Sequence, residues 1–312
     1  NAALAVAMLR HQDRFAILSK NSLEYLELYG AAESTGFIAV AINYRLAPDE
    51  MAYIVGDSMP KVLFFEEEFT PVVEQFKDRI SPDIRLVCIG IPPAWAVAYD
   101  SLALADAGAV PKSCESDLVY LIYTSGTSGR PKGAMLDQKG QREFGRVVAE
   151  EVTLNERDIS FIVMPLYHVG AFDLPGMAVL WQGGMLCIHR DFDAHAVLRS
   201  IAQERLDAAW LAPVMTSALL GCPERERFEV SSLRWVIGGG ERTPEARIRS
   251  FSEYFTKGRY IDAYGLTETC GGDTFMEAGR EIEKIGSTGR AIAHVEIEIR
   301  DDAGRAPGPG ES

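Results

Sequence analysis

Short apolar runs alternate with amphipathic stretches along most of the chain. Phe15–Leu18 is apolar throughout and leads into a helical pattern from about Ser22 to Ser34. Phe37–Ala41 precedes a helical stretch near Asp49–Asp57, and Lys61–Phe65 precedes another near Thr70–Arg79. Arg85–Ile89 and Leu118–Ile122 read as two further buried strands, separated by a proline-containing connection over Ile91–Lys112 with room for one short helix. Continuous apolar runs bounded by helical periods predict parallel strands covered on both faces.

The rhythm continues with a helix over Gln138–Glu151 and then a second series. Strands are predicted at Ile159–Met164, Gly184–Ile188, Ala208–Leu211, Arg234–Ile237 and Gly258–Ala263. Between them, helices are predicted at Asp173–Trp181, Ala194–Glu204, Val214–Leu220 and Glu245–Phe255. Two βαβα series predict an α/β fold of two doubly wound, mostly parallel sheets packed together. Beyond Ile285 the period changes. Val295–Arg300 alternates apolar and polar positions, as a half-exposed antiparallel strand does, and Asp301–Arg305 reads as a hairpin turn. This stretch reads as the start of a β-barrel-like module. The expected organisation is a first subdomain over about 1–150, a second over about 151–280 and the β module over about 281–312.

Composition narrows the function classes. The 312 residues are 47% hydrophobic and carry a formal charge of −14, from 45 acidic against 31 basic residues. With no Lys/Arg-rich run, this argues against nucleic acid or an anionic membrane as partner. An acidic protein that binds an anion needs a locally donor-rich pocket. Five dispersed cysteines with no Cys-x-x-Cys pair suggest reduced thiols and a cytoplasmic location. No apolar run is long enough to span a bilayer. The apolar opening Asn1–Leu9 reads as a buried helix, and both ends read as interior to a longer chain.

The chemistry concentrates in Tyr123-Thr124-Ser125-Gly126-Thr127-Ser128-Gly129-Arg130-Pro131-Lys132-Gly133, directly behind the apolar run Leu118–Ile122. Gly126, Gly129 and Gly133 allow successive N–H groups to point at one anion. Thr124, Ser125, Thr127 and Ser128 add hydroxyl donors, and Lys132 adds a charge. A Gly/Ser surface loop is the plain alternative, but this density of donors behind a buried strand favours a phosphate loop. It is not a Walker loop, because Pro131 stands where the second glycine is needed and Gly133 follows Lys132. The glycine spacing also fails the dinucleotide fingerprint.

Three other constellations stand out. Tyr264-Gly265-Leu266-Thr267-Glu268-Thr269 follows a predicted strand and offers a stacking ring, a hydroxyl and a hard oxygen ligand. Taken alone, its Thr-Glu pair is ordinary capping chemistry. Gly238-Gly239-Gly240-Glu241 is a tight turn after another strand, and Met164-Pro165-Leu166-Tyr167-His168-Val169-Gly170 holds an isolated histidine. Among His11, His168, His189, His195 and His294 no zinc-type sequence spacing appears.

Taken in order, these motifs resemble the signatures of the adenylate-forming superfamily, which includes acyl-CoA synthetases, luciferases and peptide-synthetase adenylation domains. Ser128 stands where the family usually has Thr, and Asp137-Gln138-Lys139 where it often has Thr-His. Asn43-Tyr44-Arg45-Leu46 and Ile285–Arg290 also resemble family segments. The resemblance implies an acyl-CoA synthetase/luciferase-like N-terminal domain that activates a carboxylic acid with ATP and Mg²⁺ and passes it to coenzyme A. It implies Thr124–Gly129 and Lys132 at the phosphates, with Gly238, Gly239, Gly240, Glu241, Asp262, Ala263, Tyr264 and Gly265 at the adenosine. Thr267 would reach the α-phosphate, Glu268 would hold Mg²⁺, and His168 would gate the acyl pocket. Phe172, Val214 and Val236, with Gly238, would line that pocket, and their character suits a fatty or aryl acid. Asp173 nearby leaves amino-acid or aryl-acid loading of a carrier protein open, as does a nucleotide-binding module without turnover. The family's ribose aspartate and mobile C-terminal domain would lie beyond Ser312, so these residues alone are expected to bind ATP weakly and adenylate poorly. A homodimer is a further open expectation.

Overall fold

The computed structural model describes residues 9–103, 112–124 and 129–308. The helix expected over Asn1–Leu9 lies outside them but for Leu9, and so do Ser125, Gly126, Thr127 and Ser128. The first series comprises β1 (Arg14–Leu18), α1 (Leu23–Thr35), β2 (Ile38–Ala41), α2 (Pro48–Ser58), β3 (Val62–Glu66), α3 (Thr70–Phe76) and β4 (Arg85–Ile89). It continues through β5 (Val97–Ala98), α4 (Tyr99–Ala103), β6 (Leu118–Thr124), β7 (Lys132–Asp137) and α5 (Gln138–Glu151). The second comprises β8 (Ile159–Ile162), α6 (Val169–Asp173), α7 (Gly176–Trp181), β9 (Met185–Ile188), α8 (Ala194–Glu204), β10 (Ala208–Leu211) and α9 (Pro213–Leu220). After these come β11 (Trp235–Gly238), α10 (Glu245–Tyr254), β12 (Arg259–Tyr264), β13 (Thr274–Phe275) and β14 (Arg290–Ala291).

Local chemistry fixes several boundaries. The Ser22 hydroxyl accepts the Tyr25 N–H at the start of α1, and Gly36 ends that helix in the left-handed region at φ 71°. Asp137 and Asp193 cap α5 and α8 in the same way. The departure from family pattern at Asp137 therefore has a local use, because its carboxylate takes the Gly140 N–H at 2.7 Å.

Two seven-stranded sheets result, in the orders β5-β4-β3-β1-β2-β6-β7 and β14-β13-β12-β11-β10-β8-β9. Pairings are parallel except β6–β7, β12–β13 and β13–β14. Aromatic and aliphatic side chains from both sheets meet in one shared core that includes Phe15, Tyr120, Phe172, Trp210, Trp235 and Ile237. Each sheet also has an outer core of its own under helices.

Three expectations are corrected. The helix over Asp173–Trp181 is two short helices, because Pro175 has no N–H to donate and Leu174 leaves the helical region. The loop after β6 returns as strand β7, which had not been expected. Val295–Arg300 forms no strand, because no described residue offers it a ladder and Ile297 and Ile299 stay exposed. The turn after it does form, with Gly304 N–H donating to the Asp301 carbonyl.

A buried amide side chain fastens the two series. Asn21, 4% exposed, follows β1. Its amide nitrogen donates to the carbonyls of Met164 (2.9 Å) and His189 (3.1 Å), and its oxygen accepts the Leu166 N–H at 2.8 Å. Tyr29 Oη donates to the Leu166 carbonyl at 2.8 Å. Replacing Asn21 by Ala leaves a buried N–H and two carbonyls without partners, so Asn21→Ala is expected to cost about 2–4 kcal/mol of unfolding free energy. Urea denaturation measures this, and a loss below about 0.5 kcal/mol would show that the side chain does not fasten the two series.

Candidate functional site: a nucleotide-sized cavity at the carboxyl ends of both sheets

Strands β6 and β7 pair antiparallel with Thr124 opposite Lys132, so the chain enters and leaves the hydroxyl-rich segment at adjacent strand ends. β6 carries β-branched and aromatic residues inside the first sheet, beside β2. Gly129 takes φ 95° with nothing within 4 Å of where a Cβ would stand. The base is anchored from outside by Tyr123 Oη donating to Asp57 at 2.6 Å and by Arg130 lying over the Tyr53 ring. Lys132 is exposed at the start of β7.

A cavity of about 390 Å³ opens beside these strand ends. Thr124, Gly129 and Pro131 line one side, with Ala41, Asn43 and Leu46 from the end of β2. Tyr167 and His168, beyond β8, and Thr267, beyond β12, close the other. All these positions follow the carboxyl ends of strands in the two sheets, where open α/β sheets bind ligands. The turn Thr267–Thr269 lies against β7, so Glu268 and the hairpin belong to one neighbourhood. Glu268 is exposed, and no described residue pairs its carboxylate. Glu50 also lines the cavity, but it is committed to its own helix start, accepting the Ala47 N–H at 2.8 Å.

His168 caps α6. Its Nδ1 accepts the Gly170 N–H at 3.2 Å, and its ring stacks on Trp210 at 5.7 Å and 17°. Desolvation of the ring lowers its pKa, which favours the neutral form. Accepting at Nδ1 leaves the proton of the neutral ring on Nε2.

The remaining predicted nucleotide residues sit together at the adjoining edge. Gly238 pairs in register with Asp262 on β11 and β12. A Cβ at Gly238 would stand 2.0 Å from Tyr260 Oη, and one at Gly239 2.9 Å from the Ala263 carbonyl. Gly240 takes φ 85° and faces open space, with Glu241 exposed after it. A Cβ at Gly265 would stand 2.4 Å from the Gly271 carbonyl. The group that approaches Gly265 is therefore the chain itself. Tyr264 is 49% exposed, which leaves its ring free to stack.

The three apolar residues expected to form an acid pocket do not converge. Phe172 is buried in the shared core against Tyr29. Val236 points to the opposite face of β11 from Trp235 and Ile237, into the outer core, because successive strand residues alternate faces. Val214 is 65% exposed on α9. Asp173 is 2% exposed in the shared core, with burial holding its carboxyl well above the usual range. It does not line the cavity. Tyr167 and Asn43 do, and site reasoning from sequence passed over both. Their signal was position, one residue before His168 and just past the end of an early strand.

Comparison with known proteins agrees with this geometry. The AMP-binding enzyme family matches residues 2–312, and the chain belongs to that family. An indoleacetate–CoA ligase of Aromatoleum aromaticum is 32% identical over 99% of the chain and 61% of its own length. The long-chain-fatty-acid–CoA ligase FadD13 of Mycobacterium tuberculosis is 31% identical over 96% of the chain and 59% of its own. An inhibitor-bound crystal structure of the N-terminal domain of FACL13 from Mycobacterium tuberculosis superposes with a TM-score of 0.87 at 28% identity, over 98% of the chain and 76% of that domain. The chain thus spans about three fifths of the length of the curated relatives it matches. Among the described residues no helix is long and apolar enough to cross a membrane.

The buried carboxyl of Asp262 carries a pH signature. Desolvation pushes its pKa from 3.8 up to about 6. The folded state then holds a proton that the unfolded chain has lost, so this contribution is complete below about pH 4 and is lost as pH rises through about 6. Asp262→Asn is expected to remove that slope, gaining about 2–3 kcal/mol at pH 7 relative to the parent chain and almost nothing at pH 4. Thermal or urea unfolding across this range reads the difference. Equal gains at both pH values would refute the assignment.

Proposed function

We propose that the chain is the nucleotide- and acid-binding core of an AMP-forming acid–thiol ligase. The carrying observation is the single cavity whose wall combines Thr124 and Gly129 of the hairpin with His168 and Thr267. In this reading ATP lays its phosphates along Thr124–Gly129 and Lys132. The adenosine rests against Gly238–Gly240, Glu241, Asp262, Ala263 and Tyr264, with Gly265 shaping that edge, and Thr267 donates to the α-phosphate.

A carboxylate is a poor electrophile, and adenylation supplies a good leaving group. A carboxylate oxygen of the acid attacks the α-phosphorus, and pyrophosphate leaves with the bonding pair. Placement and charge neutralisation provide the catalysis. Glu268, a hard-oxygen ligand with no described partner, suits Mg²⁺, which would offset phosphate charge when bound. The thiol of coenzyme A then displaces AMP, giving a thioester and a proton. His168, neutral and stacked beside the cavity, controls access to the carbonyl without acting as a cation.

The acid in this reading is apolar, fatty or aryl. The sequence relatives support this with the names of an indoleacetate and a long-chain fatty-acid ligase. Asp173 would have pointed to an amino acid, but it is sealed away from the cavity.

Calorimetric titration of ATP with Mg²⁺ into the chain tests the reading. Thr267→Ala and Lys132→Ala are each expected to weaken binding about tenfold, the loss of one hydrogen bond to a charged group. Glu268→Gln is expected to abolish the Mg²⁺ dependence of binding. Hydroxamate trapping with a panel of fatty and aryl acids then reports adenylate formation. Binding that none of the three substitutions alters would overturn the proposal.

A further inference from the structure

Three residues separated in sequence meet at the amino end of β6, at the opposite end of that strand from the nucleotide cavity. His11 Nε2 lies 2.9 Å from Asp117 Oδ2, and Cys114 Sγ lies 3.0 Å from Asp117 Oδ1. The three ligating atoms lie within 4.8 Å of one another. His11 and Cys114 are exposed, while Asp117 is buried. β6 spans seven residues, which puts the cluster roughly 20 Å from the carboxyl end of that strand at the usual rise.

We propose that His11, Cys114 and Asp117 form a binding site for a thiophilic divalent cation of the zinc type. One imidazole, one thiolate and one carboxylate make a ligand set zinc accepts, with water in the fourth position. Bond lengths of about 2.0–2.3 Å to such an ion place neighbouring ligand atoms roughly 3.3–3.6 Å apart. The two hydrogen-bonded contacts, made to different oxygens of Asp117, are a few tenths of an ångström shorter than that, and all three ligating atoms lie within 4.8 Å of one another.

The ligands are held in place before any ion arrives. The Gln12 side chain donates to the carbonyls of Gly36 and Leu118, both at 3.0 Å, and accepts the Leu118 N–H at 3.0 Å. That clamp fixes the turn carrying His11 against the residue after Asp117. The Cys114 N–H donates to Asp117 Oδ2 at 2.8 Å and orients the carboxylate. Gly36 makes room, since a Cβ there would stand 2.8 Å from the His11 ring and 2.9 Å from Asp117 Oδ2. Sequence spacing could not reveal the set, because 106 residues separate His11 from Asp117.

In the metal-free molecule the thiol donates its proton to the carboxylate. His11 Nε2–H donates to the same carboxylate, which has only acceptors to offer. Cation binding displaces both protons: the thiol proton passes to solvent, and the neutral ring carries its proton on Nδ1 instead, which leaves Nε2 as the ligand. Affinity therefore rises with pH. The occupied site would clip the segment before β1 to the strand that carries the phosphate hairpin, closing a long loop.

Titration of the reduced 312-residue chain with cobalt(II) chloride, followed by zinc(II) chloride, tests this. One equivalent of cobalt should produce a cobalt–thiolate charge-transfer band that zinc abolishes. Cys114→Ser should eliminate the band, and His11→Ala should weaken cobalt binding by about tenfold or more. Both side chains are exposed, and circular dichroism confirms that the variants fold. No thiolate band in the folded parent chain would overturn the proposal. So would a band that survives Cys114→Ser, which would assign the metal to another of the five cysteines.

Discussion

The site depends on two sheets presenting their carboxyl edges to the same space, and Asn21 is the side chain that sets this registration. Apolar burial alone would press the sheets together, but it is non-directional and tolerates sliding. Hydrogen bonds to named backbone groups do not. Asn21 reads the carbonyls of Met164 and His189 and the N–H of Leu166, and so fixes the segment that delivers Tyr167 and His168 to the cavity. The ion pairs beside it, Lys20 with Asp191 and Arg190 with Glu66, run between the same two series. They are partly exposed and add little to stability, but they favour the same docking.

Charge shapes the cavity's chemistry. A chain with a formal charge of −14 repels a polyanion at long range, so binding one would need short-range donors. Among the described residues, Thr124 and Thr267 bring hydroxyl groups to the cavity wall. The adjacent acid Glu50 is held at the start of α2 by the Ala47 N–H, and no described residue pairs Glu268. Of two nearby carboxylates, one is occupied structurally and the other remains available as a ligand.

Much of the fold was legible because its strands are buried on both faces and its helices start at Ser22, Asp137 and Asp193, where capping chemistry is explicit. Strand β7 was not, since Lys132–Asp137 alternates over only six residues and opens inside a motif read as loop. The two-residue strands β13 and β14 give no periodic signal at all. At the site, three motifs far apart in sequence contribute Thr124, His168 and Thr267 to the wall of one cavity. The glycines were harder. Gly238 and Gly265 read as space for a ligand, and each is instead filled by the chain, by Tyr260 and by Gly271. A sequence shows that a side chain is absent but not what occupies the gap. The acid pocket failed for a related reason: alternation along β11 separates Val236 from its neighbours, but it does not say which face meets the cavity.

His168 shows how neighbours decide the state of a reactive group. Protonating Nδ1 would break the bond from the Gly170 N–H that begins α6, and desolvation penalises the charged ring independently. Both effects favour neutral imidazole with its proton on Nε2. Such a ring can donate one hydrogen bond into the cavity and can turn only by giving up its stack on Trp210. A base that must take and return protons near neutral pH needs the opposite arrangement, with a carboxylate behind it to stabilise the cation. Here the ring's neighbours are an indole and a backbone amide, and neither is a carboxylate that would hold the imidazolium.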